Sequence, residues 1–470
     1  MRTNEMEKPS AVPRYYEHLD FKQLWEEFPT AGEYEKGVYR HSVDELRALK
    51  ESRFKVQVAR AWEIPFYQRH WGNAGLGKDD IRGLDDLPKI PLFSVHDLRD
   101  SIERNPPWGD LLGLDPNKPM PLVLQTSGGT TGLPRAMVYS PRDREVMNII
   151  TGRRLHMQGV RPYDLVQVAL AVGMTNGGLL AREGIWKYTG AIPLMTGSGA
   201  QTPTRRQIEI AKAWNTKFFA GFPAYLRHMA IVARDEMGID VREFGVKGLL
   251  VHLGSEDRTA LEELWNAPAF DTYGMNESGS IAAECEHKSG MHLFEDAFHV
   301  EILDPDNGAH KDGEDKGVIV VTDLFKHLAP LIRFNTNDIS SVSSGTCACG
   351  STHRRLSGIW GRADNMVKYK GTNVFPEGIG SLVGERRDAN GEYICILRKT
   401  AEGDDDLVVR VEAAGDGVDS ARMASELVSR FKEALGVKLT VEIVPGGSLD
   451  ELTLVSKQTK ARRLIDTRNK

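Results

Sequence analysis

The sequence predicts an α/β fold with a large, multi-layer N-terminal domain and a small α+β C-terminal domain. The chain has 470 residues, which exceeds what one ordinary hydrophobic core holds together. Short apolar segments alternate with helical patterns between about residues 122 and 325, as is typical of layered α/β domains. A second, shorter group of such segments follows near the C-terminus and has the size of a separate small domain.

The first 110 residues predict mainly helices. Ser42 and Glu45 have the spacing of a capping box, and the apolar residues that follow recur near the helical period until Pro65. In the middle of the chain the pattern changes to short apolar strands, with a helix over Gln207–Trp214. The predicted strands of this part are Leu165–Val172, Lys217–Ala220 and Val246–Leu253.

The C-terminal unit is predicted to contain an amphipathic helix, Ser420–Leu435, which Gly436 ends. Strands are predicted on both sides of it, at Tyr393–Leu397, Leu407–Val411 and Leu439–Val444. The predicted domains are therefore residues 1–361 and 362–470.

Composition excludes several classes of function. The chain carries 60 Lys and Arg against 66 Asp and Glu, a net charge of −6, which gives no electrostatic case for nucleic acid. We find no apolar run long enough for a membrane span and no signal peptide at the polar N-terminus. Four cysteines are too few for a disulfide scaffold, so a reducing cytoplasm is expected. The oligomeric state is not readable from the sequence, and a homodimer is one candidate.

The most informative stretch is Thr126–Arg135, which contains three glycines, three threonines and a serine. Glycines let the backbone approach an anion closely, and hydroxyls add donors to unpaired backbone amides, so such a loop binds a polyphosphate. It is not a Walker A loop, because Leu133 and Pro134 stand where Lys and Ser or Thr are required. A plain surface turn is the alternative interpretation.

A second constellation is rich in sulfur. Cys347 and Cys349 form a Cys-x-Cys pair, and Cys285, His287 and His292 precede it. Thiolates and imidazoles of this kind make tetrahedral zinc sites, whereas free thiols are the alternative.

Further motifs follow the Gly/Thr loop: Asp271–Glu277, Arg333–Asp338, Gly361–Lys368 and the tail Lys457–Asp466. In this order they resemble the motifs of the adenylate-forming enzymes, which are acyl-CoA synthetases, peptide-synthetase adenylation domains and luciferases. The segments Asn373–Pro376 and Cys347–His353 resemble the phenylacetate–CoA ligase group in particular. The resemblance covers residues 122–466 and implies a large adenylate-forming domain joined to a mobile C-terminal domain.

The resemblance also implies roles for individual residues. Glu277 would be the Mg²⁺ ligand and Tyr273 the ring beside adenine, while Asp338 would bind the ribose hydroxyls. Arg362 would lie near the nucleotide, Asp364 would be the hinge, and Lys460 would be the catalytic cation over the α-phosphate. Asn276 and Thr459 depart from the family pattern, which has a hydroxyl residue and a glycine there. The full set expected to bind ATP or AMP is Ser127, Gly128, Gly129, Thr130, Thr131, Gly132, Gly254, Ser255, Glu256, Asp271, Tyr273, Gly274, Met275, Asn276, Asp338 and Arg362.

The resemblance favours a zinc site over free thiols. The expected ligands are Cys285, His292, Cys347 and Cys349, with His287 as the substitute. Its role would be structural, since the attacking groups of the reaction are a carboxylate and a thiol. An acyl pocket is expected from Met174, Arg182, Trp186, Phe222 and Tyr225, although ordinary core packing explains the apolar members equally well. We hypothesise that Arg182 pairs with the second carboxylate of an aromatic diacid.

The implied activity is that of an AMP-forming acid–thiol ligase, which joins an aromatic carboxylic acid to coenzyme A through an acyl-adenylate. Its cosubstrates would be ATP and coenzyme A, with Mg²⁺ as cofactor. Two alternatives stay open. The acyl group could pass to a carrier-protein thiol or an amine, or the chain could be a non-catalytic nucleotide-binding module.

Overall fold

A computed structural model describes residues 13–115, 118–127, 134–254, 256–370, 372–400, 403–415, 417–455 and 461–468. The architecture is mixed α/β, with a large N-terminal part and a small C-terminal α+β part, so the predicted fold class is confirmed. Among the helices in these ranges, none has the length and apolar character that crossing a bilayer requires.

Helices occupy much of the N-terminal third and alternate with strands after it. In the described ranges the α-helices are α1 (Phe21–Glu27), α2 (Ala31–Lys36), α3 (Val43–Ala61), α4 (Pro65–Asn73), α5 (Val95–Arg104), α6 (Pro141–Met157), α7 (Asn176–Tyr188), α8 (Thr204–Ala213), α9 (Pro223–Met237), α10 (Arg258–Trp265), α11 (Ile379–Gly384), α12 (Ser420–Leu435) and α13 (Asp450–Thr453). Short 3-10 helices cover Tyr15–His18, Val38–Arg40, Leu84–Lys89, Val241–Phe244, Ala363–Asn365 and Pro376–Gly378.

The strands fall into one large sheet and several small ones. They are β1 (Val123–Thr126), β2 (Ala136–Tyr139), β3 (Leu165–Val168), β4 (Ile192–Met195), β5 (Phe218–Gly221), β6 (Gly248–Val251), β7 (Ala269–Met275), β8 (Gly279–Ala283), β9 (Met291–Leu293), β10 (Phe298–Leu303), β11 (Gly317–Asp323), β12 (Phe334–Ser340), β13 (Val342–Ser343), β14 (Arg355–Leu356), β15 (Gly361–Arg362), β16 (Val367–Tyr369), β17 (Thr372–Val374), β18 (Ala389–Lys399), β19 (Asp405–Ala413), β20 (Thr440–Val444) and β21 (Leu464–Asp466).

The large sheet has the described strand order β13-β14-β9-β8-β7-β6-β5-β3-β4. Strands β3 to β7 run parallel, and the chain then turns back so that β7 and β8 are antiparallel. Helices cover both faces, because alternate residues of one strand point to opposite sides. Phe218 packs with Leu155 and Ile185 of α6 and α7, whereas Phe219 packs with Leu226 and Trp265 of α9 and α10.

A second sheet, β10-β11-β12-β15, is antiparallel and brings Asp338 of β12 opposite Arg362 of β15. The strands β1 and β2 pair with each other, so the segment between them is the connection of a hairpin. This connection contains residues 128–133, which lie outside the described residues.

The C-terminal sheet has the order β20-β19-β18-β21 and is covered by α11 and α12. Its core, which includes Tyr393, Leu407 and Phe431, is drawn from residues 367–464 alone. The strand β21 joins the sheet parallel to β18. The sequence did not predict β21 as a strand. The boundary near residue 362 remains a prediction.

Local signals in the sequence are obeyed closely. Ser42 caps α3, because its hydroxyl accepts the Glu45 amide at 3.3 Å while the Glu45 carboxylate accepts the Ser42 amide at 2.8 Å. The helix α12 has the predicted bounds and ends at Gly436, whose φ of 73° suits glycine.

Candidate functional site

The hairpin of β7 and β8 carries two of the expected nucleotide-binding side chains, Tyr273 and Glu277. The turn is tight, since a Cβ on Gly274 would stand 2.4 Å from the carbonyl oxygen of Gly279. Gly279 itself has a φ of 77°, so both positions favour glycine. The tight turn therefore holds Glu277 near the end of β7, the strand that carries Tyr273.

The Glu277 carboxylate forms an ion pair with Arg135, the residue that closes the Gly/Thr loop stretch. Lys326 donates to the Glu277 carbonyl at 3.0 Å, and all three residues line one cleft. Ser127 and Arg135 pin the two ends of the loop together, because the Ser127 amide donates to the Arg135 carbonyl at 3.0 Å. The predicted phosphate contacts Gly128, Gly129, Thr130, Thr131 and Gly132 lie outside the described residues.

Tyr273, in the strand β7 of this hairpin, contacts Asp338 of β12. The Tyr273 hydroxyl donates to one Asp338 oxygen at 2.8 Å, and Arg362 donates to the other at 3.0 Å. Burial, together with the Asp338 charge, raises the pKa of Tyr273 well above its ordinary value, so the phenol stays protonated. Arg362 also holds Asp364 through two hydrogen bonds, of 2.8 Å and 2.7 Å. The expected ribose, adenine and hinge residues thus form one cluster.

Asp271 is a buried residue near the start of β7. It accepts the amides of Leu253 at 2.7 Å and Thr272 at 2.8 Å. Burial raises its pKa to about 7. Gly254, which comes directly after Leu253 in the chain, has a φ of 58°. Ser255 lies outside the described residues. The Glu256 carboxylate is bound by two arginines, Arg227 and Arg463.

The remaining expected nucleotide contacts, Met275 and Asn276, lie in the β7–β8 turn region. The Asn276 carbonyl accepts from Asn176 at 3.0 Å and from the Tyr139 hydroxyl, which ties the turn to α7 and β2. Lys460 lies outside the described residues, but Arg463, three residues later, is buried and fully engaged.

The five expected acyl-pocket residues do not share one environment. Met174 and Trp186 are 65% and 60% exposed, and the Arg182 guanidinium stands over the Trp186 ring at 5.3 Å. Phe222 lies against the ring of His252, whereas Tyr225 is buried. Their role in binding an acid stays a prediction.

The structure brings Cys285, His292, Cys347 and Cys349 together, with their ligand atoms all within 4.8 Å of one another. Cys285 follows β8 and His292 lies in β9, while the two others sit on the loop between β13 and β14. Because β14 pairs with β9, this loop is brought back over the two earlier residues. His287 is exposed and does not belong to the group.

The distances in this thiol cluster match a tetrahedral ion site. The sulfurs of Cys285 and Cys347 are 3.9 Å apart, and the Cys349 sulfur is 3.6 Å from His292 Nε2. Zn–S bonds of about 2.3 Å in a tetrahedron place two sulfurs about 3.8 Å apart. Burial lowers the pKa of His292 to about 3, so the imidazole is neutral and has a lone pair to offer.

Hydroxyl groups surround this cluster. The Tyr39 hydroxyl is 3.2 Å from the Cys349 sulfur, and the Ser289 hydroxyl is 3.3 Å from the Cys347 sulfur. His353, in the same loop motif, is not part of the group, and its ring nitrogens lie 2.8 Å and 3.0 Å from the carbonyls of Leu293 and Val38. These hydroxyls are suited to support thiolate ligands from outside the coordination sphere.

Sequence reasoning missed several charged residues of these sites. Arg135 is the last residue of the predicted phosphate-binding stretch Thr126–Arg135, so the sequence already placed a cation beside this loop. Lys326 and Arg227 belong to no motif and are brought in only by the fold.

Comparison with known proteins gives three findings. The family described as AMP-binding enzyme C-terminal domain matches residues 371–468. The phenylacetate–coenzyme A ligase of Thermus thermophilus is 30% identical over 450 residues, which cover 90% of this chain and 97% of that protein.

The third finding comes from solved structures of a 2-hydroxyisobutyryl-CoA ligase. Its postadenylation state with 2-HIB-AMP matches with a TM-score of 0.81 and 27% identity, covering 91% of this chain and 90% of that one. Its thioesterification state, with 2-HIB-AMP and CoA, matches with a TM-score of 0.66 and 28% identity, covering 92% and 91%.

Proposed function

The chain belongs to the phenylacetate–coenzyme A ligase family and is an ATP-dependent, AMP-forming acid–coenzyme A ligase, and we propose that its acid is aromatic or arylacetic. In the first step a carboxylate oxygen attacks the α-phosphorus of ATP, giving acyl-AMP and pyrophosphate. In the second step the thiol of coenzyme A loses its proton and attacks the acyl carbon, and AMP leaves. The first step depends mainly on positioning and on charge stabilisation.

The observation that carries this proposal is that one hairpin, β7–β8, contacts both Arg135 at the end of the Gly/Thr loop stretch and Asp338 of β12. Arg135 at the end of the loop pairs with Glu277, and Tyr273 on the same hairpin bonds to Asp338. A nucleotide that lies along this edge would meet its phosphate-binding and ribose-binding groups in the order of its own structure. We therefore propose Asp338 as the ribose acceptor and Tyr273 as the wall beside the base.

Glu277 fits the proposed role of Mg²⁺ ligand. Its side chain is 12% exposed in the cleft, and a carboxylate oxygen is the hard ligand that Mg²⁺ prefers. The ion, when bound, neutralises charge on the phosphate oxygens. An ion bound at Glu277 would release Arg135, which is the ion-pair partner of Glu277, to bind the phosphates.

We propose Lys460 as the cation that meets the charge developing between the carboxylate and the α-phosphate. This follows from the match of the tail to the family motif, because Lys460 itself is not described. A cation placed where charge builds in a water-poor site lowers the barrier more than the same cation in water.

We propose that the thiol cluster of Cys285, His292, Cys347 and Cys349 binds a structural Zn²⁺. The support is the ligand chemistry and the 3.9 Å and 3.6 Å distances between ligand atoms. All four ligand positions are filled by side chains, which is typical of a structural site without an open coordination position.

We also propose a residue that selects the acid, Arg182. Arg182 stands over Trp186 on the exposed face of α7. Its guanidinium would bind the second carboxylate of a diacid. We expect Arg182→Ala to reduce the preference for aromatic diacids over monoacids, measured by kcat/KM for each. An unchanged preference would refute this assignment.

The activity itself is tested by pyrophosphate release with ATP, Mg²⁺, coenzyme A and a panel of aryl, arylacetic and aliphatic acids. We expect the fastest release with an aryl or arylacetic acid, together with the appearance of its coenzyme A thioester. Pyrophosphate release without consumption of coenzyme A would instead favour a carrier-protein or amine acceptor. The cytoplasmic location and the homodimer stay predictions.

A further inference from the structure

Four charged side chains form a closed ring between the two domains. Arg227 of α9 and Glu256 belong to the N-terminal domain, and Glu392 of β18 and Arg463 belong to the C-terminal domain. Arg463 binds Glu256 at 2.7 Å and Glu392 at 3.0 Å. Arg227 binds Glu256 at 3.0 Å and also pairs with Glu392. Each carboxylate is therefore held by one arginine from each domain, and each arginine by one carboxylate from each domain.

This ring is largely removed from water. The exposed fractions of its side chains are 5% for Arg463, 12% for Glu392, 13% for Arg227 and 17% for Glu256. Buried charges are tolerated only when they are fully paired, and loss of one partner is strongly unfavourable. The ring is satisfied only when the two domains stand in this relative position, so it favours this arrangement over others.

Arg463 is anchored firmly within its own domain. Its guanidinium lies over the Tyr393 ring at 4.4 Å and donates to the Tyr393 carbonyl at 2.9 Å. Its own carbonyl accepts the Cys395 amide at 2.9 Å, at the start of β21. Since Arg463 follows Lys460 by three residues, the ring fixes the C-terminal end of the segment that carries this lysine.

The domains also approach closely beside the ring. A Cβ added to Gly384, in the last turn of α11, would stand 2.3 Å from the Cβ of Asp257. No side chain fits between the two domains at this position without their moving apart. Gly384 and Asp257 thus offer a second, steric way to disturb the same arrangement while the ring residues stay intact.

The arrangement itself resembles one state of a relative. The same 2-hydroxyisobutyryl-CoA ligase matches this chain much better in its postadenylation state than in its thioesterification state, although the covered share of both chains is nearly equal. Since both structures are of the same protein, we attribute this difference to the arrangement of its parts and not to their fold.

We propose that the ring of Arg227, Glu256, Glu392 and Arg463 holds the two domains in the adenylating arrangement, with Arg463 as a positioning residue for Lys460. This inference rests on the proposed function of Lys460. It follows that the ring stabilises the first half-reaction and must open before the thiol attacks, since thioester formation uses a different arrangement in the relative.

The first test separates the two half-reactions in Arg227→Gln. Adenylation is measured as pyrophosphate released in the first turnover with the best acid of the panel. Thioester formation is measured by supplying the corresponding synthetic acyl-AMP and coenzyme A. We expect adenylation to fall at least about 10-fold while thioester formation is unchanged or faster. A parallel fall of both rates, or no change in either, would overturn the proposal.

A double-mutant cycle with Glu392→Gln tests whether the residues act as one unit. The double variant Arg227→Gln/Glu392→Gln should lose less adenylation activity than the product of the two single losses predicts, because it removes a pair and not one partner. Strictly multiplicative losses would contradict a shared ring.

The second test uses sterics in place of charge. Gly384→Ala should slow adenylation and spare thioester formation, and a folding defect is not expected, because alanine is favoured over glycine in a helix. Adding Asp257→Gly removes the opposing Cβ and should restore adenylation, because glycine is tolerated at the N-cap that Asp257 now provides. Failure of this rescue would count against the arrangement.

These outcomes are distinct from failure of the proposed function. If the wild-type protein forms no acyl-AMP with any acid of the panel, the function is wrong. If it forms acyl-AMP and the variants match it in both half-reactions, only the ring is wrong.

Discussion

The nucleotide cleft and the thiol cluster are both polar sites, but their side chains are satisfied in different ways. In the cleft, Glu277 is paired with Arg135 and Asp338 with Arg362, so the carboxylates already have cationic partners. In the cluster, three thiols and one imidazole face one another, with hydroxyls as their other polar neighbours.

The difference indicates two kinds of ligand. The ion pair of Glu277 is exchangeable, since an incoming Mg²⁺ can take the place of Arg135 while the phosphates of the nucleotide compensate the charge of the arginine. The ribose, which is neutral, can bind Asp338 only beside Arg362. The thiol cluster gains its full set of bonds only from an ion that stays. Variants of the cleft should therefore change rates and substrate affinity, whereas variants of the cluster should change stability and metal content.

The largest expected effect concerns the proposed catalytic cation. Lys460→Ala should reduce the rate of acyl-AMP formation by about 10²–10³-fold, because it removes the charge that meets the transition state. Binding of ATP and the melting temperature should stay nearly unchanged. Lys457→Ala, in the same basic tail, is the matched control and should keep normal activity. Adenylation at the wild-type rate in Lys460→Ala would exclude the assignment.

The next effect is in the thiol cluster. Cys349→Ala should lose about one Zn²⁺ per chain and lower the melting temperature on the order of 10 °C, because metal binding contributes directly to folding. Cys395→Ala removes a buried thiol of the C-terminal sheet, outside the cluster, and should keep the metal. Metal analysis and calorimetry measure both. Substoichiometric zinc in the wild-type protein would leave the cluster as free thiols.

A moderate effect is expected at the ribose acceptor. Asp338→Asn should weaken ATP binding about 10-fold or more, in line with hydrogen bonds to a charged group. The sharper measurement is discrimination between ATP and 2′-deoxy-ATP, which the wild-type protein should show and the variant should largely lose. Equal discrimination in both proteins would place the ribose elsewhere.

The smallest effect concerns Asp271, a buried carboxyl of β7 that accepts two backbone amides. Its pKa rises from 3.8 to about 7 on folding, so the native state binds more protons than the unfolded state between these values. Stability from this group is complete below pH 3.8 and is lost as the pH rises through about 7. Asp271→Asn should remove this group's contribution to the pH dependence of the unfolding free energy over this window. Identical pH profiles would contradict the shift.

The order of the motifs was enough to predict the fold class and the enzyme family, and both are confirmed by the fold and the relatives. The four predicted zinc ligands were chosen from the sequence, with His292 preferred and His287 as the substitute. Only the pairing of β9 with β14 places His292, and not His287, beside Cys349.

Local features were determined by the sequence alone, because the residues that decide them are close in the chain. Ser42 and Glu45 fix a helix start three residues apart, and Gly436 ends α12 wherever that helix is placed. Contacts between distant residues were decided only by the tertiary structure. Glu256 matches a nucleotide-site motif in the sequence, yet it is held by Arg227 and Arg463, and the second of these lies in the other domain. No local pattern encodes such a contact, because it exists only when two separately folded cores are brought together.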